Sequence, residues 1–211
     1  MKHLALIASL TIATAGSANA ATVLVGVEGA VFDSASSFAT VDDAISFADT
    51  NTAVGTFTVG TLNYPASANT TSSSNTVTDI LGADAASFVG SDVQLQTSVF
   101  VFEGLIDLAG GSQSFTVGSD DGFALFIDGA EVSRFSNPRS YNETTVTADL
   151  GVGLKTFKLV YYENFGNTGV AFEIDGAAVT NVDPVPLPMA APLMAGGLVT
   201  LTAARRRRKR G

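Results

Sequence analysis

The sequence predicts a mostly antiparallel β-sandwich with one or two short helices, because short runs of alternating apolar and polar residues are separated by turn residues. Two such runs flank the acidic turn SDDG (119–122) within the stretch SFTVGSDDGFALFIDGAEV (114–132). Alternation with a period of two is typical of strands that bury one face. Asp128-Gly129 tolerates positive φ in a two-residue hairpin, so residues 131–135 should return alongside residues 123–127.

The first half of the chain predicts two strands and two helices. Residues 23–27 alternate weakly as a first strand, and Phe57 and Val59 mark a second. Between them, Thr40 followed three residues later by Asp43 is a variant of the capping box, which predicts a helix from Val41 that ends within residues 49–52. The polar run 65–75 predicts a surface loop, and a short helix should follow around residues 79–81.

The second half predicts further strands. Residues 99–108 form a strong strand candidate in which Gly104 predicts a bulge or a close backbone approach. Residues 157–162 and 170–174 alternate on either side of the Gly- and Asn-rich loop 163–169, and we interpret them as a second hairpin.

Two stretches resemble the PA14 domain family. The runs FTVGSDDGFALFIDG and LVYYENFGNTGVAFEID are similar to PA14 sequences, and the likeness extends more weakly over residues 23–175. The resemblance implies a β-sandwich of the kind found in bacterial toxins, glycosidases and the sugar-binding adhesins of yeasts. We assign residues 21–183 to this PA14-like domain.

Composition excludes several classes of protein. The chain has no Cys, and its single His is His3, so disulfides, thiolate or His-based metal sites and a Ser-His-Asp triad are excluded from the domain. The domain carries 20 acidic residues against 4 basic ones, a net charge of −16. Such a surface repels nucleic acid and attracts metal cations, although it also simply promotes solubility.

The acidic turn is the candidate metal site. Asp120 and Asp121 are adjacent carboxylates with no Arg or Lys in the stretch before Arg134, so they should repel each other unless a cation or several donors lie between them. The resemblance implies a cis Asp-Asp peptide and a Ca²⁺ ion, with Asn164 as a further ligand. The alternative is an acidic turn whose carboxylates accept hydrogen bonds from nearby N–H groups.

The same resemblance implies a carbohydrate at the rim of this site. Phe165 would pack beside the sugar and Asn167 would close the binding loop, although no Trp is available for stacking. Alternatively, Phe165 anchors its own loop, and Asn164 and Asn167 only provide left-handed turn geometry.

These patterns favour binding over catalysis. The sequence has many acids but no tuned pair of the kind that glycoside hydrolysis requires, and PA14 domains accompany glycosidases as accessory modules. We therefore expect a non-enzymatic protein that binds an exopolysaccharide or a cell-surface glycan with the help of Ca²⁺. The alternative is a structural matrix or biofilm protein with no metal or glycan site.

The N-terminal end carries a predicted export signal. Lys2 precedes an apolar run at 4–15, and Ala18-Asn19-Ala20 fits the small-x-small cleavage rule, so residues 1–20 indicate a signal peptide cut before Ala21. We therefore expect the mature protein outside the cytoplasm.

The C-terminal end resembles a sorting signal. Residues 184–211 contain four prolines, an apolar segment at 189–204 and six basic residues at 205–210. The motif formed by Val185, Pro186, Leu187 and Pro188 is similar to the PEP-CTERM signals of the VPLPA type in exopolysaccharide-producing Gram-negative bacteria, except that Met189 replaces the usual Ala. This resemblance implies cleavage by an exosortase-type protease, with release to the outer surface or the medium.

The apolar segment also predicts an isolated transmembrane helix. As a helix its sixteen residues would measure about 24 Å, against roughly 30 Å of hydrocarbon, so it would cross only a thinned bilayer or one into which the arginines snorkel. Whether the tail is a cleaved signal or a permanent anchor stays open. In either case we expect it not to pack on the domain.

Overall fold

The computed structural model describes residues 22–182. The predicted signal peptide, the sorting motif at 185–188 and the C-terminal hydrophobic helix all lie outside the described residues. Within residues 22–182, no helix is both long and apolar enough to cross a membrane.

The described residues form fourteen strands, two α-helices and a 3-10 helix. The strands are, in chain order, β1 (Val23–Asp33), β2 (Gly55–Thr58), β3 (Asn63–Tyr64), β4 (Thr71–Ser72), β5 (Val89–Gly90), β6 (Ser98–Ala109), β7 (Ser112–Asp120), β8 (Phe123–Ile127), β9 (Ala130–Phe135), β10 (Asn142–Asp149), β11 (Val152–Glu163), β12 (Asn167–Ile174), β13 (Ala177–Ala178) and β14 (Asn181–Val182). The helices are α1 (Val41–Thr50), α2 (Val77–Leu81) and the 3-10 helix Gly82–Ser87.

The strands form two sheets, as expected for a sandwich. The first sheet has the order β5-β2-β1-β6-β11-β8-β9, with β14 parallel to β1 at one end. The second has the order β10-β7-β12-β13, and β3 and β4 also pair with β12. All other pairings are antiparallel. The prediction of a mostly antiparallel all-β fold is therefore confirmed.

The main core lies between the two sheets. Alternate positions of the long strands point inward and bury large aromatic side chains, including those of Phe57, Phe102, Phe115, Phe123, Phe157, Tyr161 and Phe172. A second apolar cluster lies on the outer face of the first sheet, where α1 covers Val101, Ala124, Val160 and Tyr162. The first sheet thus has one face in the main core and part of the other beneath a helix.

Helix α1 begins and ends where the sequence predicts. Thr40 Oγ1 accepts a hydrogen bond from Asp43 N at 3.3 Å, and Asp43 Oδ2 accepts one from Thr40 N at 3.0 Å, which completes the capping box. The helix ends at Thr50, and α2 confirms the predicted short helix.

Gly104 is explained by a close backbone approach. A Cβ atom at this position would lie 2.7 Å from Val27 Cα and 2.9 Å from the Gly26 carbonyl oxygen. The β1–β6 register shifts between Val25 and Glu28, so the bulge lies on the neighbouring strand. The sequence correctly identified the position as special.

One predicted pairing is wrong and another is confirmed. β9 returns alongside β8 through the Asp128-Gly129 turn, as predicted. The segments predicted as a second hairpin, β11 and β12, do not pair with each other, because β11 lies in the first sheet and β12 in the second. Alternation shows which face of a strand is buried but not which sheet the strand joins. The loop between them is therefore a crossing from one sheet to the other.

The predicted surface loop at 65–75 also contains structure. Thr71 and Ser72 pair with Thr168 and Asn167 as β4, and the Ser73 side chain is buried. This loop therefore packs against the loop between β11 and β12.

Candidate functional site

The candidate site lies where two sheet crossings meet. The chain passes from the second sheet to the first between β7 and β8, and returns from the first to the second between β11 and β12. Because β7 pairs with β12 and β8 pairs with β11, the two crossings are neighbours. Backbone hydrogen bonds join them directly, from Asp121 N to Tyr162 O at 3.2 Å and from Tyr162 N to Gly122 O at 3.1 Å.

Asp120 and Asp121 form the first crossing, and the peptide bond between them is cis. Both residues are almost buried, at 7% and 6% exposure. Asp120 Oδ2 accepts a hydrogen bond from Tyr141 N at 3.1 Å. Asp121 Oδ1 accepts one from Arg139 N at 3.2 Å, and its Oδ2 accepts one from Asn164 N at 2.9 Å. Each carboxylate oxygen has at least one further lone pair for another partner.

The backbone carbonyl group of Asp120 accepts a hydrogen bond from a side chain in the core. The Tyr161 hydroxyl, which is fully buried, donates to Asp120 O. It also lies 2.7 Å from Thr168 Oγ1 and accepts a hydrogen bond from Gly169 N at 3.1 Å. Tyr161 thus links the two crossings through its hydroxyl, from the side of the core.

Burial raises the pKa of both aspartates, and repulsion adds to the shift at Asp120. Burial, together with the neighbouring charge of Asp121, raises the pKa of Asp120 to about 6. Burial also raises the pKa of Asp121, although hydrogen bonds from the backbone N–H groups of Asn164 and Arg139 oppose that shift. A bound cation would favour the charged form of both carboxylates.

A basic residue lies closer to the pair than the sequence suggested. Arg139 belongs to the loop between β9 and β10, and its guanidinium donates to Ser119 O, Ser119 Oγ and Thr144 Oγ1 at 3.3, 2.9 and 2.9 Å. Its Cζ lies 4.2 Å from the centroid of the Phe135 ring, and its charge lowers the pKa of Asp120. The absence of basic residues before Arg134 therefore does not leave the aspartates without a nearby positive charge.

Asn164 contacts the pair through its backbone. Its side-chain Oδ1 accepts a hydrogen bond from Phe38 N at 2.7 Å, and its Nδ2 donates to Phe38 O at 3.0 Å. The side-chain amide therefore ties the loop to the chain before α1, and a ligand role for Oδ1 would use its second lone pair.

Phe165 and Asn167 lie in the loop that follows. The Phe165 side chain is 61% exposed and Asn167 is also exposed, with its backbone paired to Ser72. Gly166 lies between them with φ of 105° and is held by Ser73, whose Oγ accepts a hydrogen bond from Gly166 N at 2.9 Å. The loop thus presents one aromatic and one amide side chain to solvent beside the aspartate pair.

Glu163 is the most unusual residue near the site. It is fully buried, and neither of its carboxylate oxygens has a hydrogen-bond partner among residues 22–182. Burial and the charges of Asp121 and Asp120 raise the pKa of Glu163 to about 9, which the nearby Ser73 and Tyr161 hydroxyls only partly oppose. The carboxyl group is therefore protonated at neutral pH.

The donor set fits a hard cation. The adjacent carboxylates of Asp120 and Asp121 supply oxygen atoms, which Ca²⁺ prefers, and Ca²⁺ takes six to eight of them. In the part of the chain that the structure describes, no three Asp, Glu, His or Cys side chains converge to hold a metal. An ion at Asp120 and Asp121 would complete its shell with amide, carbonyl or solvent oxygens.

Several residues of the site escaped the sequence analysis. Arg139 and Tyr141 reach the aspartates, and Phe38 reaches Asn164, from loops that no periodic pattern connects to them. Glu163 had a usable signal, because it continues the inward alternation of Leu159 and Tyr161 and so had to point into the core.

Structural comparison identifies the fold. No protein-family model matches the sequence, and no curated protein is significantly similar to it. Among solved structures, the PA14 domain of the antifreeze protein MpAFP is similar with a TM-score of 0.66 and 20% identity, over 80% of this chain and 92% of that one. A PA14 sugar-binding domain from an RTX adhesin is similar with a TM-score of 0.64 and 22% identity, over 75% and 94% of the two chains. The chain therefore has a PA14-like fold.

Proposed function

We propose that this protein is a non-enzymatic carbohydrate-binding protein that holds its glycan through Ca²⁺ at Asp120 and Asp121. The observation that carries the proposal is the aspartate pair itself, two almost buried carboxylates on adjacent residues with lone pairs to spare. A similar fold occurs in a domain described as sugar-binding, from an RTX adhesin. Phe165 and Asn167 would contact the sugar from the rim.

The ion would provide both charge balance and contacts. It would offset the burial that raises the pKa values of both aspartates and the repulsion that adds to the shift at Asp120, and its remaining coordination positions would accept sugar hydroxyls. Asn164 would contribute through the second lone pair of Oδ1 or through its backbone. The partner would be an extracellular polysaccharide or a cell-surface glycan, and the acidic domain argues against nucleic acid.

A structural role without metal is the second candidate. It is favoured by the hydrogen bonds that the backbone N–H groups of Arg139, Tyr141 and Asn164 already donate to the aspartates. In that case the acidic turn only fixes the loop between β9 and β10, and the protein serves as an extracellular matrix component.

Calorimetric titration with CaCl₂ separates the two candidates. We expect one Ca²⁺ per chain and a calcium-induced rise in melting temperature that Asp120→Ala and Asp121→Ala abolish. Asp107→Ala is the matched control, since Asp107 is exposed on β6 and pairs with Val23 at the far end of β1. If the wild-type protein takes up no Ca²⁺, the structural role stands and the calcium-dependent one is lost.

Glycan binding is tested next on columns of immobilised glucose, galactose and mannose polymers. We expect retention in CaCl₂ and elution with a chelator. Retention that survives both the chelator and Asp121→Ala would contradict the role of the ion.

We also propose that residues 1–20 direct export and that residues 184–211 act as a sorting tail. The tail would hold the precursor in the membrane until an exosortase-type protease cuts it near Val185–Pro188. Mass spectrometry of protein recovered from the native surface tests this proposal. A C-terminus ending at Gly211 would indicate a permanent anchor instead.

A further inference from the structure

The outer face of the second sheet begins at the aspartate pair, because β7 ends at Asp120. In β7, Phe115 and Val117 are buried in the core, so period-two alternation places Thr116, Gly118 and Asp120 on the opposite, outer face. Gly118 and Asp120 are neighbouring positions on that face, about 6–7 Å apart along the strand.

Tyr141 covers Gly118 on this face. A Cβ atom at position 118 would lie 2.0 Å from the Tyr141 hydroxyl oxygen and 2.6 Å from its Cζ, so only glycine leaves room for the phenol. The backbone N–H of Tyr141 donates to Asp120 Oδ2 at 3.1 Å. The ring is therefore held over the strand right beside the candidate ion site.

Tyr141 keeps the capacity to contact a ligand. The residue is only half-buried, and its hydroxyl makes no hydrogen bond to any of residues 22–182. An aromatic ring with an apolar face and a free polar end suits the C–H face and the hydroxyls of a sugar ring.

Polar side chains lie on the neighbouring positions of this face. Glu143 lies opposite Gly118 on β10, and Glu173 lies opposite Thr116 on β12. Both carboxylates lie near enough to Tyr141 to raise the pKa of its hydroxyl further, in addition to the larger effect of burial. Thr116 and Thr145 add two hydroxyls, 2.8 Å apart. Carboxylates accept hydrogen bonds from neutral hydroxyl groups and repel acidic substituents.

We propose that Tyr141, with Glu143 and Glu173, forms a second subsite that receives the next sugar ring of a neutral polysaccharide bound at Asp120 and Asp121. The inference rests on the proposed function, and it adds that the ligand is a neutral chain and that it runs over the outer face of the second sheet. Asp120 and the ring share that face, and the backbone N–H of Tyr141 donates to Asp120 Oδ2, so one glycan can contact both.

The test compares chain lengths. The probes are glucose, galactose and mannose together with the linear hexasaccharide of each, titrated in CaCl₂. Tyr141→Ala should lower the ratio of hexasaccharide affinity to monosaccharide affinity about tenfold, equivalent to roughly 1.4 kcal/mol for one lost ring contact. Tyr141→Phe should keep most of the ratio, because the ring remains. Gly118→Ala should lower it, because the added methyl group displaces the ring.

The controls separate this inference from the proposed function. Val152→Ala, at an exposed position in the far half of β11, should leave the affinity ratio unchanged. Asp121→Ala should weaken the binding of the monosaccharide and of the hexasaccharide by the same factor. If the wild-type protein binds sugars but Tyr141→Ala and Gly118→Ala keep the wild-type ratio, the second subsite is overturned while the first stands. If no sugar binds the wild-type protein, the second subsite and the proposed carbohydrate-binding function are both contradicted.

Discussion

Replacing Glu163 with Gln should stabilise the protein at neutral and alkaline pH. Glu163 lies fully buried at the end of β11, and its carboxylate oxygens have no hydrogen-bond partner among the described residues. A charged group at this position is costly, because burial and the charges of Asp121 and Asp120 outweigh the partial compensation from the Ser73 and Tyr161 hydroxyls. Gln has nearly the same shape and never ionises, so the substitution removes the charge without opening a cavity.

The size of the stability difference between the two proteins follows from the shift in the pKa of Glu163. An unfolded chain releases the Glu163 proton near 4.5, whereas the folded protein retains it until about 9. Between these values the folded state binds one extra proton, so the stability that this residue contributes is complete below 4.5 and is lost as pH rises to 9. The loss is about 1.4 kcal/mol per pH unit, so at pH 7 the wild-type protein should be roughly 3 kcal/mol less stable than Glu163→Gln.

Urea unfolding at several pH values, in a chelator to remove metal ions, measures this difference. The two proteins should be equally stable near pH 4, and the advantage of Glu163→Gln should grow up to pH 9. The matched control is Glu143→Gln, an exposed glutamate on β10, which should stay within about 0.5 kcal/mol of the wild type throughout. A difference that does not change with pH would show that Glu163 is ionised and compensated in the folded protein.

Three further outcomes are expected. The calcium affinity measured by calorimetry should fall about tenfold between pH 7.5 and pH 5, because protons compete for Asp120, whose pKa is raised to about 6; equal affinities would contradict this account. Thr40→Ala should cost about 1 kcal/mol in urea unfolding by removing the cap of α1, whereas Thr52→Ala in an exposed loop should cost little. Gly104→Ala should cost about 1–3 kcal/mol, because its Cβ would lie 2.7 Å from Val27 Cα, and an unchanged unfolding midpoint would contradict that approach.

Local sequence patterns predicted the helices, strands and turns better than they predicted which strands pair with each other. The capping box of α1, the Asp128-Gly129 hairpin and the close approach at Gly104 are decided by neighbouring residues, and all three are confirmed. β10 was missed because it lies at the edge of its sheet, and its sequence NETTVTAD contains only one large apolar residue.

In the candidate site, too, the sequence indicated some residues, whereas others are brought there only by tertiary packing. The likeness to PA14 sequences pointed to Asp120 and Asp121, and the structure joins Asp121 to Asn164 through a backbone hydrogen bond. Arg139 and Tyr141 come from a loop without periodicity, so their approach depends on how the two sheets stack. Sequence patterns within single strands carry no information about that stacking.

The positions of β1 and β14 determine how the domain would carry mechanical load. β1 extends about 35 Å, from Val23 at one end to Asp33 at the other, where it pairs with Ser98, which in turn pairs with Glu163 beside the aspartates. β14 lies against Leu24 and Val25, at the far end. Tension between a glycan held at the aspartates and the chain that follows β14 would run parallel to the strands. Many ladder hydrogen bonds would then be sheared together instead of opening one by one.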